Sequence, residues 1–242
     1  MPNPHTDFAL ARHSARPVAL VTGATGGMGS AIVKELTATH RVIAVGRQRE
    51  ELDKLADETG AIAWAADLTD GATLAEHAAG LDRLDVLVHA AARGGSLSVT
   101  DARAEDWAEH FAVNVTAPAE LTRLTLPLLR ASEGTVVFIG SGAGTRPVPG
   151  SAVYTATKHA LRGVADVLRI DEEPYRVRVV TLAPGQTDTA MLRANIPSAD
   201  YRPERYIRPE SVAETVRFVV DAPADVQLTD IAVRPRQEIA RL

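Results

Sequence analysis

A glycine-rich turn between an apolar run and an amphipathic segment constrains the fold of this chain more than any other feature. Residues 17–21, Pro-Val-Ala-Leu-Val, precede the turn at residues 22–29, Thr-Gly-Ala-Thr-Gly-Gly-Met-Gly, and residues 30–36 carry apolar side chains at helical spacing. By itself, a glycine-rich turn is only a loop. Between a strand and a helix, its glycines let the backbone bend tightly and approach a pyrophosphate, whose charge the helix N-terminus stabilises. The stretch therefore predicts the first strand, turn and helix of a dinucleotide-binding fold.

Strand-like and helical patterns alternate along the rest of the chain. Further strands are predicted at residues 41–46, 61–65, 84–89, 134–140, 176–182 and 229–233. Helices are predicted at residues 49–55, 103–132 and 210–220, and from Tyr154 to about residue 173. There is no internal repeat and no linker. This order predicts an α/β fold, a doubly wound parallel sheet of about seven strands with helices on both faces, and a ligand site at the carboxyl edge of the strands.

The composition excludes several classes of protein. The 242 residues are 45% hydrophobic, enough for a sizeable core in one large α/β domain. A net charge of −5 and a pI near 5.8 argue against a broad nucleic-acid-binding surface. The absence of cysteine excludes disulfides, thiolate metal ligands and a thiol nucleophile. No apolar run reaches transmembrane length, and the polar start lacks the hydrophobic region of a signal peptide. We expect a cytoplasmic protein that binds neither nucleic acid nor membrane and holds no metal.

The sequence divides into a leader, one domain and a lid. Residues 1–16 have no clear period and are predicted to be a flexible leader in which His5 and His13 are solvated. Residues 17–242 are predicted to form a single dinucleotide-binding and catalytic domain. Within it, residues 186–209 lack a strong period and contain three prolines, and a segment this long after a Pro-Gly turn is predicted to be a substrate lid.

Ser141, Tyr154 and Lys158 form the candidate chemical group. Tyr154 and Lys158 are four residues apart, so on a helix they lie on one face. A free phenol has a pKa of about 10, and a nearby ammonium lowers that pKa toward the range useful for acid–base catalysis. The intervening loop brings Ser141 close, where its hydroxyl would hold a substrate oxygen. Tyr and Lys at this spacing also occur on solvated helix faces, so the assignment depends on the rest of the chain.

Five motifs together resemble the short-chain dehydrogenase/reductase family. Its T-G-x-x-x-G-x-G turn, its helix asparagine, its serine thirteen positions before a Y-x-x-x-K pair, and its P-G-x-x-x-T turn occur in the family's order across roughly residues 17–235. They are met by Thr22, Gly23, Gly27, Gly29, Asn114, Ser141, Tyr154, Lys158, Pro184, Gly185 and Thr189. The resemblance implies a single-domain Rossmann fold and hydride transfer between a nicotinamide coenzyme and an alcohol or carbonyl compound.

The resemblance also implies residue roles. Tyr154 is the acid/base, Lys158 lowers its pKa and holds the nicotinamide ribose, Ser141 positions the substrate oxygen, and the carbonyl of Asn114 holds a water that links the lysine to solvent. The alternative for Asn114 is a polar residue at a helix break. The implied coenzyme-binding residues are Gly23, Thr25, Gly27, Met28, Gly29, Arg47, Asp67, Leu68, Ala90, Ala91, Tyr154, Lys158, Pro184, Gly185, Thr187 and Thr189. For Asp67 two interpretations stay open: an acceptor from the adenine amino group, or a helix cap.

The chain departs from the family after its fourth strand, where Asn-Asn-Ala-Gly usually follows and this chain has His-Ala-Ala-Ala at residues 89–92. The small residues leave room for a coenzyme, but the lost asparagine removes a contact to neighbouring strands. We expect His89 to replace that contact as a structural histidine. Trp64, in the third strand, is expected to be a packing residue.

The end of the second strand predicts the coenzyme. In relatives that use NAD, an acid at this position accepts hydrogen bonds from the adenosine ribose. Here the position is Gly46, followed by Arg47, whose guanidinium can clamp a 2′-phosphate with two parallel hydrogen bonds. The alternative for Arg47 is an ordinary surface arginine at the start of a helix. Arg49 either adds charge or is solvated. The chain end at residues 234–237, Arg-Pro-Arg-Gln, also resembles NADP-dependent hydroxy-acid and small-carbonyl reductases. We therefore predict that NADP(H) is preferred over NAD(H).

These observations predict an NADP-dependent oxidoreductase that interconverts a secondary alcohol and a ketone, aldehyde or hydroxy acid. A non-catalytic NADP(H)-binding sensor or scaffold on the same fold is the alternative. A nucleotide-sugar epimerase would need a longer C-terminal domain. Candidate substrate-pocket residues, by position, are Arg93, Gly142, Val148, Gln186, Met191 and Leu192. Arg93 is either a partner for a substrate carboxylate or an exposed arginine.

The resemblance implies a homodimer or homotetramer, paired through helices of the Asn114 and Tyr154 regions. The apolar stretch at residues 121–129 has more hydrophobic side chains than one core face needs. It is either part of such an interface or a helix buried within the monomer.

Overall fold

The computed structural model describes residues 16–237. Its strands are β1, Val18–Thr22; β2, Arg41–Gly46; β3, Ile62–Ala65; β4, Val86–His89; β5, Thr135–Ile139; β6, Arg178–Pro184; and β7, Asp230–Val233. Its α-helices are α1, Gly27–Leu36; α2, Arg49–Thr59; α3, Gly71–Ala79; α4, Ala104–Phe111; α5, Ala117–Ala131; α6, Ala152–Asp171; α7, Ala190–Arg193; and α8, Pro209–Val220. A π-helical turn, Ala112–Thr116, joins α4 to α5, and 3-10 turns lie at Gly142–Gly144, Glu173–Tyr175 and Pro203–Arg205.

The strands form one seven-stranded parallel sheet in the order β3-β2-β1-β4-β5-β6-β7. The order reverses at β1, which pairs with β2 on one side and with β4 on the other. In open parallel sheets the crevice at the carboxyl ends of such a pair is where ligands bind. The predicted α/β fold is confirmed, and the reversal places the glycine-rich turn after β1 at that crevice.

Apolar side chains on both faces of the sheet are covered by helices. Alternate residues of β1 point to opposite sides, so Val21 packs with α1, α2 and α8, whereas Leu20 packs with α3, α5 and α6. Strands buried on both faces read as continuous apolar runs, which explains why residues 18–21 lack polar alternation. The two cores hold the strand ends, and therefore the crevice, at fixed positions.

Two helices, α3 and the four-residue α7, were not predicted from the sequence; α7 lies in the segment that lacks a strong period, and α3 has a different reason. Its apolar residues are mostly alanines, so the hydrophobic period is weak. Asp70 caps it, because its side chain accepts hydrogen bonds from the amides of Ala72 and Thr73 at 3.1 and 3.2 Å. Asp67 instead accepts from the amide and hydroxyl of Thr69 at 2.9 and 2.7 Å. The helix cap is Asp70, and Asp67 closes the turn before it.

The long helix predicted over residues 103–132 is interrupted in its centre. The π-helical turn at Ala112–Thr116 adds one residue to the helical repeat, and Asn114 is in that turn, fully buried. In the following α5, Leu121 and Leu129 are buried in the monomer core, which supports the interpretation of this stretch as an internal helix.

Other sequence expectations concern the ends and the surface. Residues 1–15 of the predicted leader, with His5 and His13, lie outside the described residues. Arg16 is described, and it donates to the backbone oxygens of Thr37 and Ala38 at 3.3 and 2.6 Å. Within residues 16–237, no helix is long and apolar enough to cross a membrane, and no group of three or more His, Asp or Glu residues is placed to hold a metal ion.

Candidate active site

The glycine turn lies directly against the residues that follow β4. Gly23 has a φ of +66°, and a Cβ there would come within 2.7 Å of the Ala91 backbone. Thr22 fixes this approach from below, because its hydroxyl oxygen accepts hydrogen bonds from the amides of Ala90 and Ala91 at 3.1 and 3.2 Å. A Cβ at Gly29 would overlap the carbonyl oxygen of Gly23. Glycine at positions 23 and 29 is therefore a steric requirement of this turn.

A cavity of about 410 Å³ runs along the carboxyl ends of the strands from the glycine turn to α6. Most of the residues predicted to bind a coenzyme line it: Gly23, Thr25, Gly27, Met28, Gly29, Arg47, Asp67, Leu68, Ala90, Ala91, Tyr154, Lys158 and Thr189. The cavity has one end formed by the ends of β2 and β3 and another formed by α6. Because one cavity reaches from the ends of β2 and β3 to α6, it suits an extended ligand.

The end formed by β2 and β3 has a positive side chain. Arg47 is exposed and, within residues 16–237, makes no hydrogen bond or close ion pair, although its charge contributes to lowering the pKa of Asp67. Hydrogen bonds from Thr69 are the main cause of that lowered pKa. The Thr25 hydroxyl donates to Gln48 Oε1 at 3.1 Å and ties the glycine turn to the loop after β2. Arg49 is engaged elsewhere, because its guanidinium pairs with Asp53 at 3.0 Å along α2.

The other end of the cavity holds the phenol of Tyr154, which α6 delivers from its first turn. The helix faces the sheet with Val153, Thr157 and Leu161, spaced four residues apart, and Tyr154 lies beside that buried row. Burial raises the pKa of Tyr154, while a hydrogen bond from Ser141 acts in the opposite direction. The expectation of a lowered phenol pKa does not hold in this structure, since removal of the phenol from water outweighs the hydrogen bond.

The position and burial of Lys158 explain why its positive charge does not lower the pKa of Tyr154. Its Nζ is 5.6 Å from the centroid of the Tyr154 ring and donates to the carbonyl of Ile139 at 2.9 Å. The residue is 3% exposed, and burial lowers its pKa to about 8. One donor of the ammonium is therefore engaged by the end of β5, and the remaining N–H groups belong to a buried group on the cavity wall.

Ser141 lies where β5 meets the loop to α6. Its hydroxyl oxygen accepts from the amide of Ala143 at 3.1 Å and caps the 3-10 turn that follows. The same hydroxyl lies near the phenol, because its interaction with Tyr154 acts to lower the pKa of that residue. Ser141, Tyr154 and Lys158 are thus brought together across thirteen and four residues of sequence, by the end of β5 and the start of α6.

Asn114 joins three parts of the site through its side chain. Its Oδ1 accepts from the amide of Arg93 at 2.7 Å, and its Nδ2 donates to the carbonyl of Arg93 at 2.9 Å and to the hydroxyl of Thr157 at 3.0 Å. Thr157 precedes Lys158 on α6. The π-helical turn therefore places one amide where it clamps the loop after β4 to the helix that carries the catalytic candidates.

His89 confirms the expectation of a structural histidine. It is 2% exposed, its Nε2 is 2.9 Å from the hydroxyl of Thr122, and its ring stacks on Phe138 with centroids 4.9 Å apart. Burial lowers its pKa to about 3, so it is neutral at physiological pH. Trp64 is fully buried and stacks on His77, as expected of a packing residue.

Several other predicted residues lie outside the cavity wall. Thr187 is buried and donates to the carbonyl of Gly185 at 3.1 Å. The residues that do not line the cavity are Asn114, Ser141, Pro184, Gly185 and Thr187 among the predicted site, and Gly142, Val148, Gln186 and Leu192 among the pocket candidates. Arg93 and Met191 do line it. The Arg93 guanidinium is 2.8 Å from Glu109, so its charge is paired within the chain.

The structure adds lining residues that the motifs do not contain: Gly26, Gly46, Gln48, Ala66, Ala92, Val113, Ile139, Gly140 and Ala190. Gly46, Ala66 and Gly140 follow or end neighbouring strands. The sequence already singles out Gly46 at the end of the second strand, and the same rule, applied to the carboxyl ends of the other strands, would have found Ala66 and Gly140. Val113 has no such signal, because the π-helical turn that directs it into the cavity is invisible in the sequence.

The wall of the cavity fits a nicotinamide dinucleotide. Backbone at Gly23 and Gly29 approaches without side chains, the N-terminus of α1 faces the cavity at Gly27, and Lys158 offers buried donors at the α6 end. The guanidinium of Arg47 lies at the β2 end of the cavity, and the phenol of Tyr154 lies at the α6 end. The sheet between β2 and β5 sets the separation of these two side chains.

Comparison with known proteins agrees with this geometry. The family model for short chain dehydrogenase matches residues 17–199. An uncharacterised short-chain type dehydrogenase/reductase, y4eK, of Sinorhizobium fredii is 34% identical over 92% of each chain. The NADP-dependent 3-hydroxy acid dehydrogenase YdfG of Escherichia coli K12 is 32% identical, over 90% of this chain and 94% of its own. The crystal structure of a 3-ketoacyl-(acyl-carrier-protein) reductase from Brucella melitensis, complexed with NADH, is 26% identical, covers 92% of this chain and 98% of its own, and has a TM-score of 0.82.

The matched family spans the strands that build the cavity, including β1, β5 and β6, and the helix with Tyr154. The relatives extend over nearly the whole length of both chains. The chain belongs to the short-chain dehydrogenase/reductase family and is an oxidoreductase that acts on an alcohol or carbonyl group with NAD(P).

Proposed function

We propose that this chain is an NADP-preferring oxidoreductase that interconverts a secondary alcohol and a ketone, aldehyde or hydroxy acid, with Tyr154 as the acid/base. The observation that carries the proposal is the pair formed by the half-buried Tyr154 and the buried Lys158 at the α6 end of the cavity. Buried ionisable groups with shifted pKa values on a cavity wall are typical of catalytic sites. A sensor would need the cavity but not this pair.

We assign the proton transfer to Tyr154 in both directions of the reaction. When bound, a nicotinamide dinucleotide supplies or accepts the hydride at the substrate carbon. In reduction, Tyr154 donates its proton to the carbonyl oxygen. Burial raises the pKa of Tyr154, so the phenol carries its proton at neutral pH, as this direction requires. Ser141, whose hydroxyl acts on the pKa of the phenol, is assigned the orientation of the substrate oxygen beside it.

Lys158 and Asn114 are assigned supporting roles. Lys158 keeps free N–H groups beside the phenol while one is held by Ile139, and we assign those groups to the ribose hydroxyls of the coenzyme. Asn114 fixes the position of α6 relative to the loop after β4 through Thr157 and Arg93. We assign the water relay to its backbone carbonyl, in addition to this clamp.

The substitution Tyr154→Phe tests the central assignment and separates an enzyme from a sensor. Loss of the acid/base is expected to lower kcat by about 10²–10⁴-fold, because proton transfer by a positioned group contributes on that order. Coenzyme affinity is expected to stay within about three-fold, since a phenyl ring keeps the same shape. Reduction of a panel of ketones is followed at the NADPH absorbance, and coenzyme binding by calorimetry.

The matched control is Tyr175→Phe, because Tyr175 lies outside the cavity and contacts Arg130. It is expected to leave kcat unchanged. Near-normal turnover by the Tyr154→Phe variant would refute the assignment. Absence of turnover by the unmodified protein over the whole panel, with tight coenzyme binding, would favour the sensor.

The coenzyme preference is proposed from the end of β2. Gly46 provides no carboxylate to repel a 2′-phosphate, and the exposed Arg47 beside it is not engaged by a hydrogen bond within residues 16–237. The name of the Escherichia coli relative supports NADP, whereas the Brucella melitensis structure holds NADH. The preference therefore has to be measured.

NADPH is expected to bind more tightly than NADH by about ten- to a hundred-fold, because a charge-assisted contact of this kind contributes about 1.5–3 kcal/mol. Gly46→Asp with Arg47→Leu is expected to reduce or reverse this ratio. The atoms nearest to a Cβ at position 46 are 3.5 Å away, so the new carboxylate can be accommodated. Arg49→Leu is the control, since Arg49 pairs with Asp53 and should leave the ratio unchanged. Equal affinities of the unmodified protein by calorimetry would refute the preference.

Burial of Lys158 predicts a pH-dependent stability. Its pKa is about 8 in the folded chain, below that of a free lysine, so the unfolded state binds more protons between these values and stability rises with pH. Compared with Lys158→Met, the Tm of the unmodified protein is expected to rise by several degrees from pH 7.5 to 9.5. One pKa unit corresponds to about 1.4 kcal/mol, and 1 kcal/mol shifts the Tm of a chain this size by about 2–4 °C.

Lys34→Met is the control for that experiment, because Lys34 on α1 is exposed and pairs with Glu58 of α2 at 3.1 Å. Its difference from the unmodified protein is expected to stay flat with pH. A Tm difference for Lys158→Met that does not change between the two pH values would show that the lysine is not held in a pKa-lowering environment.

We also propose a homodimer or homotetramer. The supporting observation is the outer face of α6, where Val167 and Ile170 are 59% and 70% exposed beside a groove shared with α5. Light scattering is expected to give a multiple of 25.7 kDa, and Val167→Asp is expected to shift the mass downward. A mass of 25.7 kDa for the unmodified protein at working concentration would refute the assembly.

A further inference from the structure

The segment between β6 and α8, residues 186–207, is called the lid segment here. Its two ends are joined: the amide of Ile207 donates to the carbonyl of Gln186 at 3.0 Å, and the amide of Asp188 donates to the carbonyl of Ile207 at 2.8 Å. Ile207 is buried in the core under α8. The lid segment is therefore a closed loop with its base fixed to the body of the protein.

Inside this loop, one carboxylate oxygen accepts three hydrogen bonds. Oδ1 of Asp188 receives them from Arg193 Nε at 2.9 Å, Arg193 Nη2 at 2.6 Å and the hydroxyl of Tyr201 at 2.6 Å. The ring of Tyr201 packs against Tyr206, with centroids 4.8 Å apart. The hydrogen bond from Tyr201 lowers the pKa of Asp188, so the carboxylate is charged at neutral pH and its hydrogen bonds are charge-assisted. Asp188, Arg193 and Tyr201 are called the Asp188 cluster.

Two side chains between Asp188 and Arg193 contact opposite walls of the cavity. A Cβ at Gly27 would lie 2.9 Å from Cγ2 of Thr189, so this threonine touches the glycine turn. A Cβ at Gly94 would lie 2.7 Å from the sulfur of Met191, so this methionine touches the loop after β4. The lid segment thus crosses the cavity from the glycine turn to the loop after β4, and Met191 forms part of the cavity wall.

Helix α7, which carries Met191, is too short to be stable by itself. Isolated helices of four residues are unstable, and α7 depends on what brackets it. Thr189 caps its N-terminus by accepting from the amide of Leu192 at 3.3 Å, and Asp188 clamps its last residue, Arg193. Met191 is 39% exposed and has a flexible side chain, so its place in the wall depends on the position of α7.

We propose that Asp188 is a positioning residue that, through Arg193 and Tyr201, holds Met191 as the end wall of the substrate compartment and so limits the enzyme to small alcohols and carbonyl compounds. This inference rests on the proposed function. Neither Asp188 nor Tyr201 lines the cavity, so both act through α7. Their loss changes KM and substrate size and leaves the proton transfer at Tyr154 in place.

The test is a homologous series of ketones from acetone to 2-nonanone, assayed with NADPH for the unmodified protein, Asp188→Ala and Met191→Ala. For the unmodified protein, kcat/KM is expected to fall steeply beyond the short members. Both variants are expected to raise KM for short ketones by about ten-fold with kcat within about three-fold, and to accept longer ketones. The double variant is expected to shift the profile no further than Met191→Ala, because both changes remove the same wall.

Three controls separate positioning from a general loss of structure. Asp188→Asn keeps an oxygen acceptor and is expected to restore most of the normal profile. Glu204→Gln, an exposed carboxylate of the same segment, is expected to match the unmodified protein. The pH profile of kcat is expected to be the same for all variants. An Asp188→Ala variant with the normal chain-length profile, or an effect that adds to that of Met191→Ala, would overturn the proposal.

A readout without turnover keeps this inference separate from the proposed function. Trypsin can cut the lid segment after Arg193 and Arg205, whereas Arg202 is protected because Pro203 follows it. Asp188→Ala is expected to be cut there at least about ten-fold faster than the unmodified protein, with Glu204→Gln unchanged, because local opening sets the rate of cleavage. If no ketone is turned over, the proposed function fails on this series, while unequal proteolysis still supports the Asp188 cluster. Equal cleavage of all three proteins would refute the cluster as the element that holds the lid segment.

Discussion

The close approach of the glycine turn to the end of β4 is the constraint on which the rest of the site depends. Gly23 lies with positive φ against Ala91, and the hydroxyl of Thr22 holds the amides beyond β4 in place. Because β1 pairs with both β2 and β4, this contact occurs where the strand order reverses, and the two loops can diverge only outward from it. The cavity is the space left between them. A side chain at Gly23 would push the loops apart and open that space at its narrowest point.

Buried polar groups connect this cavity to the core. Asn114 satisfies all its side-chain hydrogen-bonding groups by joining the loop after β4 to α6, and Lys158 is held by the carbonyl of Ile139 at the end of β5. Burial of an amine costs stability, since the charged form loses its hydration. The same burial gives the lysine and the neighbouring Tyr154 pKa values that differ from those in water. Stability and chemistry are therefore set by one arrangement of α6 against β5, which is a common relation at enzyme sites.

The sheet forms a rigid wall of the cavity, whereas the part of the wall that the lid segment forms depends on a few side chains. Seven strands packed between two layers of helices fix the cavity wall from Arg47 to Tyr154. The lid segment has a buried anchor at Ile207, but over the cavity it is held by the Asp188 cluster, by contacts to Gly27 and Gly94, and by a hydrogen bond from Ser96 to Asn195 at 3.4 Å. Loops held by few contacts on a rigid scaffold are where enzymes of one fold acquire different substrates.

Local sequence determined the strands, the longer helices other than α3, and the chemistry-bearing residues of this protein. Apolar runs, helical spacing and glycine-rich turns predicted every strand of the sheet, and the spacing of Ser141, Tyr154 and Lys158 pointed to one site, because these signals reside in neighbouring residues. Tertiary structure alone decided the rest. Asn114 in its π-helical turn joins residues distant in sequence, and the Asp188 cluster lies in a segment without a periodic pattern, so neither leaves a local signal. The direction of the pKa shift of Tyr154 depends on how much water surrounds the phenol, which only packing of α6 against the sheet sets.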